Sequence, residues 1–286
     1  MRLMAFRTGP DFNIFGAGDT HEGNAAFSEK AFNKFADMFF SEYENLPSDK
    51  NHLLHMGDPG EFITYKDTRY EPKIHKQTVV KQFDGIIDRY KPFEPRMLGM
   101  LDSNHPIVLD PIGNVTEYLC QKLNIEYLTY STKFTFLSKQ KEEFMFKLFA
   151  THGKKSITST AEPQERIEAN LKIAVKRQLK RKYSDCAVML KAHAHKLIVA
   201  PPTPKLCLAD NMKRIIEFYP NPIDYHQMPY IPEELRWYAC TGSFLRTYLL
   251  DHNTYSEKAE YDPVDLGFVV VMVRDRKVKE VRGIQL

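Results

Sequence analysis

Asp19 and His21 stand two residues apart at the end of an apolar run, and the same spacing recurs at His193 and His195. In an extended chain, side chains two apart point the same way, so each pair presents two donors to one small volume at a strand's end. Carboxylate with imidazole suits a divalent cation. Taken singly, each pair also has an ordinary explanation: an Asx-type turn beside a chance histidine for 19–21, and two half-exposed surface histidines for 193–195. Three further apolar stretches end in residues of the same kind. They lead to Asp58 on a Gly/Pro-rich turn, to Asn104 and His105, and to His152. Ligands of α/β sheets gather at the carboxyl ends of strands, so five such ends far apart in sequence can converge on one site. Five of the ten histidines lie at these ends, whereas His52, His55, His75, His226 and His252 have no such setting and read as structural or surface residues.

The elements that must position these residues follow from periodicity. Strands are expected at 12–18, 51–56 and 97–101, one or two within 125–137, and then at 144–150, 187–190, 196–200, 214–219 and 242–249. Residues 267–273 and 277–282 flank a charged turn and predict a hairpin. Apolar residues at three- and four-residue spacing predict helices over 24–43, 78–90, 115–123 and 163–182. The last of these carries Lys172, Lys176, Arg177, Lys180, Arg181 and Lys182 on its other face, a surface that could meet phosphate groups or simply face solvent.

Composition narrows the class. A chain of 286 residues with 43% hydrophobic and 27% charged residues builds a substantial core and fits one large α/β domain over 1–286. A formal charge of +3 argues against bulk-charge binding to nucleic acid or membrane. Cys120, Cys186, Cys207 and Cys240 form no C-x-x-C pair and read as free thiols. No apolar run reaches the ~18 to 20 residues of a bilayer span, and a cytoplasmic location, in a bacterium or a virus-infected host cell, is expected.

With these residues in order, the chain resembles the calcineurin-like metallophosphoesterases, whose signature runs D-x-H, G-D, G-N-H, H and G-H-x-H. The matching residues are Asp19-Thr20-His21, Gly57-Asp58, Ser103-Asn104-His105, His152-Gly153 and Ala192-His193-Ala194-His195. The last two motifs look like those of phage and prophage-encoded members. The resemblance implies a four-layer α/β/β/α sandwich of two mixed sheets flanked by helices, with 154–183 as a helical insertion or cap. It implies two divalent ions, Mn first and Fe or Zn as alternatives. Asp19, His21, Asp58 and His195 would hold one ion, and Asp58, Asn104, His152 and His193 the other.

The implied activity is hydrolysis of phosphate esters by a hydroxide shared between the two ions. By the same resemblance His105 would protonate the leaving alkoxide or stabilise the transferring phosphoryl group, supported by Glu61. Lys154 and Lys155, after His152-Gly153, could attract a phosphate or simply form a solvated loop. Phosphodiesters, nucleotide or nucleic acid, are slightly preferred because of the basic helix, so DNA or RNA is an expected partner and a membrane is not. A phosphomonoesterase acting on a small molecule or phosphoprotein, and a non-catalytic metal-binding scaffold, are the alternatives. Three departures from the family pattern stand beside the metals: Ser103 and Ala192 replace glycines, and Pro106 follows where an acid is common. Either these turns use ordinary φ values or the site is slightly reshaped.

Overall fold

Phe12 and Ile14 pack on one side of their strand while Phe15 and Ala17 pack on the other. A strand buried on both faces reads as a continuous apolar run and must lie inside a layered structure. The computed structural model describes residues 1–65, 67, 70–75, 77–104, 108–109 and 113–286. Its strands are β1 (Arg2–Thr8), β2 (Phe12–Ala17), β3 (Asn51–His55), β4 (Met97–Met100), β5 (Val108–Leu109), β6 (Gly113–Asn114), β7 (Ser131–Ser138) and β8 (Phe144–Thr151). After them come β9 (Val188–Lys191), β10 (Leu197–Ala200), β11 (Cys207–Asp210), β12 (Ile215–Phe218), β13 (Trp237–Thr241), β14 (Gly267–Arg274) and β15 (Lys277–Gln285). The helices are α1 (Glu29–Phe40), α2 (Val79–Tyr90), α3 (Val115–Leu123), α4 (Gln164–Leu179) and the short α5 (Tyr255–Lys258).

Two mixed sheets form the centre. One has the order β15-β14-β2-β3-β4, with β2, β3 and β4 mutually parallel; the other has the order β1-β7-β8-β9-β13-β10, with β8, β9 and β13 parallel. Phe12, Ile14, Leu54 and Val271 from the first sheet meet Phe136, Phe146, Leu148 and Leu190 from the second in the inner core. On the outer face of the five-stranded sheet, Phe15, Leu53 and Phe268 receive Phe32, Phe35 and Phe39 of α1, Phe83 and Ile86 of α2 and Leu119 of α3. Ala174, Val175 and Leu179 of α4 cover Met189, Ile198 and Tyr238 on the outer face of the other sheet. The layers are therefore α/β/β/α.

Local chemistry sets the helix starts. Ser28, Thr78 and Asn114 each accept a hydrogen bond from the backbone N–H three residues on, satisfying one exposed donor at the N-terminus. α4 connects the parallel neighbours β8 and β9, so the stretch expected as an insertion or cap holds the crossover helix that builds the fourth layer. No helix among the described residues is long and apolar enough to cross a membrane. All four cysteines are free thiols.

Two expectations need correction. The strand placed at 242–249 lies instead at Trp237–Thr241, and Gly242 ends it. Its φ is +73°, and a Cβ there would come within 2.6 Å of the Gly267 carbonyl oxygen, so the chain turns where the sequence reading started a strand. Within 125–137 the strand begins only at Ser131. The edge strand β1 is absent from the sequence reading, since alternate exposure along an Arg-containing heptapeptide hides its apolar face.

Candidate metal centre

Parallel pairing puts the carboxyl ends of β2, β3 and β4 at one edge, and those of β8 and β9 at the facing edge of the second sheet. Backbone hydrogen bonds lock the turns that follow. Asp19 N–H donates to the Gly57 carbonyl (2.9 Å), and Thr20 and His21 N–H both donate to the Asp58 carbonyl (3.0 and 3.2 Å). Across the sheets, His152 Nδ1 donates to the Met56 carbonyl (2.9 Å) and His193 N–H to Asp19 Oδ2 (3.2 Å).

These turns bring the donors into two groups. Asp19, His21 and His195 offer ligand atoms within 4.8 Å of one another, and so do Asp58, His152 and His193. His193 and His195 thus separate into different groups although only one residue lies between them. Asp58 lies between the groups: its Oδ2 is 3.1 Å from His152 Nε2 and 3.8 Å from His21 Nε2. Asn104 joins the second group, its Oδ1 lying 2.8 Å from His152 Nε2. His105 and Pro106 lie outside the described residues.

The polar partners behind the imidazoles select their tautomers. His21 Nδ1 is 2.8 Å from Glu61 Oε2, and His152 Nδ1 faces a carbonyl; both partners only accept, so each Nδ1 carries the proton and each Nε2 is turned toward the carboxylates. Glu61 also lies 3.4 Å from His75 Nε2. Sequence reasoning read His75 as uninvolved and paired Glu61 with His105; among the described residues Glu61 meets His21 and His75. Beneath the site, His55 Nε2 is 3.0 Å from the Tyr90 hydroxyl, which lies 3.3 Å from the Thr20 hydroxyl. Asp102 braces the turn before Asn104 by accepting from Tyr127 Oη (2.7 Å), Asn114 Nδ2 (3.0 Å) and Ser103 N–H. Nothing in the local sequence signals Tyr127 or Asn114, because both arrive from beyond the loop.

Five of the clustered donors sit in the left-handed region: Asp19 (φ +51°), His21 (+49°), Asp58 (+48°), His193 (+68°) and His195 (+51°). Each costs roughly 1 to 2 kcal/mol relative to ordinary backbone, and such strain concentrates where function requires a fixed geometry. Ser103 and Ala192 have negative φ, so the missing family glycines impose no strain. Gly57 is needed for a different reason. At φ +101° a Cβ would lie 2.6 Å from His152 Nδ1.

Charge balance fits a cation. Asp19 and Asp58 are buried together, and Asp19 Oδ1 accepts no hydrogen bond among the described residues, the nearest donor being His195 Nε2 at 3.3 Å. His21 Nε2 and His195 Nε2 lie 3.3 Å apart, close enough for a proton or a metal ion to sit between them. Without metal, protons take that place. Burial alone would push His21 down, but Glu61, Asp58 and Asp19 outweigh it and hold it at about 9. Burial is likewise outweighed at His152, where Asp58, Asp19 and the Met56 carbonyl hold it at about 9. His193, pushed down to about 4 by burial and the His152 charge, is neutral. Burial raises Asp19, but His195 and His152 bring its carboxyl below the usual range. The donor set, imidazole and carboxylate without thiolate, therefore suits divalent first-row ions.

Other expected site residues sit around this centre. Lys154 and Lys155 are exposed on the loop after His152. The Lys155 carbonyl accepts from buried Lys191 Nζ (2.7 Å), which also donates to Gln178 Oε1 (2.6 Å), and Lys154 Nζ is 6.0 Å from the centre of the Tyr130 ring. On α4, Lys176 donates to the Thr203 hydroxyl while Lys172 and Arg177 stay exposed, and Lys180, just past the helix end, pairs with Glu233.

No protein-family model and no curated sequence matches the chain. Among solved structures it matches a conserved uncharacterized protein from Streptococcus pneumoniae TIGR4, described as a predicted phosphoesterase, with 9% identity and a TM-score of 0.30 over 98% of this chain and 100% of that one. At that score the likeness carries no weight for fold or activity.

Proposed function

We propose that this protein is a metal-dependent phosphoesterase of the calcineurin-like kind, holding one divalent ion in the Asp19, His21, His195 group and a second in the Asp58, Asn104, His152, His193 group. The observation that carries the reading is Asp58, a buried carboxylate facing both groups at the meeting of five strand ends. Two ions held by these groups would supply Lewis acidity to a phosphoryl group and would activate water for in-line attack. The chain's own residues do the rest. Asp58 fixes the spacing of the two groups, Glu61 and the Met56 carbonyl keep His21 and His152 with Nε2 turned inward, and His193 enters the site neutral. His105, next to Asn104 in sequence, is the proposed proton donor to the leaving alkoxide, and Lys154 and Lys155 the proposed attraction for substrate phosphate.

Phosphodiesters are the proposed substrate class, supported by the exposed cations of α4. The test compares bis-p-nitrophenyl phosphate with p-nitrophenyl phosphate, with Mn²⁺ and after chelation. Turnover that depends on Mn²⁺ and favours the diester is expected; faster monoester turnover would reverse the class, and no turnover of either with both ions bound would leave the scaffold reading.

Glu61→Gln provides a second check. Loss of the carboxylate behind His21 removes the charge that raises its basicity, and such outer partners are worth about 10- to 100-fold in metal affinity. Titration with Mn²⁺ should show that weakening at one ion only. Equal weakening at both would contradict the assignment of Glu61 to the His21 group.

A further inference from the structure

Just past His152, three backbone carbonyls are each bound by a side chain from a different element. Tyr130 Oη, before β7, donates to the Gly153 carbonyl (2.8 Å), Lys191 Nζ at the end of β9 to that of Lys155 (2.7 Å), and Gln178 Nε2 on α4 to that of Ser156 (2.9 Å). Lys191 and Gln178 also join each other, Nζ to Oε1 across 2.6 Å. Side chains two apart on a strand share a face, so Lys191 follows Met189 into the layer between the sheet and α4. Pairing sets it opposite Thr151, beside the start of the loop. Gly153 fits closely over its stem: at φ +83° a Cβ would lie 3.2 Å from Lys191 Cε. Ile157 then anchors the far end of the loop, buried with Val175 and Leu179 of α4.

Lys191 is 2% exposed, and among the described residues its ammonium rests on neutral acceptors with no carboxylate paired to it. Burying a charge in this way is unfavourable for stability alone. Its gain is a charge-assisted bond to one loop carbonyl, stronger than a neutral donor would make. With the carbonyls of 153, 155 and 156 held against the protein, the side chains of Lys154 and Lys155 stand outside, exposed. Lys154 Nζ comes to 6.0 Å from the centre of the Tyr130 ring, and that ring lies 6.2 Å, edge to face, from the ring of His152. Tyr130 thus carries the ammonium beside the second ligand group. We propose that Lys191, Gln178 and Tyr130 are positioning residues, a clamp that holds the 153–156 loop so that Lys154 meets the substrate phosphate at the second group. That role rests on the phosphoesterase reading and on Lys154 as the cation the phosphate approaches.

Binding of inorganic phosphate to the Mn²⁺-loaded protein, followed by calorimetry, reads the position of Lys154 without turnover. Lys154→Ala should weaken it about fivefold, the range of an exposed ion pair, and Lys191→Met should do the same. The double variant should bind no more weakly than Lys154→Ala alone, since two residues that act through one contact are not additive. KM for bis-p-nitrophenyl phosphate should rise by the same factors, more than kcat falls, with both ions retained. In the metal-free protein, trypsin should cut after Lys154 or Lys155 faster in Lys191→Met than in the wild type, because a released loop opens locally. Gln178→Leu, which strips the Ser156 carbonyl of its donor, should act in the same direction and carries the test if Lys191→Met does not fold. Effects that multiply in the double variant, unchanged cleavage by trypsin, phosphate binding indifferent to Lys154→Ala, or an ion lost in Lys191→Met would overturn the clamp. A wild-type protein that binds phosphate and both ions but turns over no ester would count against the phosphoesterase reading instead, and the binding and cleavage results would still decide the clamp.

Discussion

Asp58→Asn is expected to lose both ions and to lower turnover by about a thousandfold or more, equivalent to roughly 4 kcal/mol of transition-state stabilisation. The choice of asparagine matters. Asp58 has φ +48°, and its carbonyl accepts from both Thr20 and His21 N–H, so a residue that dislikes the left-handed region would also spoil the turn. Asparagine tolerates that region and keeps the shape, leaving the lost charge as the main change. The Asp58 carboxylate lies near His152 and His21 alike, so neither group retains its full donor set without it. His193→Ala and His195→Ala belong to separate groups and should each deplete one ion, different in the two variants. Metal content by plasma mass spectrometry, read beside turnover, separates these outcomes. An Asp58→Asn protein with two ions, or a common ion lost in both histidine variants, would defeat the two-group reading.

The convergence of Asp19, His21, Asp58, Asn104, His152, His193 and His195 was legible because each donor follows an apolar strand, and parallel strands collect their carboxyl ends at one edge. Chain order alone carries that information. What lay hidden depends on loops that cross between elements. Glu61 reaches His21 because the 58–62 turn is tied to the 19–22 turn, with Glu22 N–H donating to the Pro59 carbonyl and Glu61 N–H to the Glu22 carbonyl. Spacing from Asp58 does not reveal this. Tyr127 and Asn114 likewise reach Asp102 through tertiary packing. β13 was misplaced because Tyr238, Ala239 and Cys240 are short of the bulky β-branched residues that announce a strand, while Phe244 and Leu245 just beyond Gly242 are apolar for another reason: Phe244 enters the core beneath α1. Of the two options left open where Ser103 and Ala192 replace family glycines, the turns take ordinary φ values, and the left-handed backbone lies in the donor residues themselves.

Unfolding free energy of the metal-free protein should be greatest near pH 6.5 and fall on either side, and Mn²⁺ should remove only the alkaline fall. His226 is 2% exposed, and neither ring nitrogen has a hydrogen-bond partner among the described residues. Burial, with Lys277 and Lys279 adding to it, pushes its imidazole down to about 4. The unfolded chain therefore binds the proton first as pH drops below 6.5. His226's contribution is fully present above that value and is lost as pH falls through about 4. The loss is on the order of 3 kcal/mol, with His52 and His55, also held down by burial, adding to the same arm. His21 and His152 act in the opposite sense. Held at about 9 by the carboxylates, they contribute stability that is present below 6.5 and lost as pH rises through about 9. A divalent ion between the same carboxylates and imidazoles replaces those protons, and its own affinity grows as they leave. Urea titrations across this range should show that His226→Leu shrinks the acid arm and leaves the alkaline arm, whereas Mn²⁺ does the reverse. An acid arm unchanged in His226→Leu would mean that the imidazole finds a proton acceptor in the folded protein, and an alkaline arm indifferent to Mn²⁺ would mean that the ion does not take the place of the protons on His21 and His152.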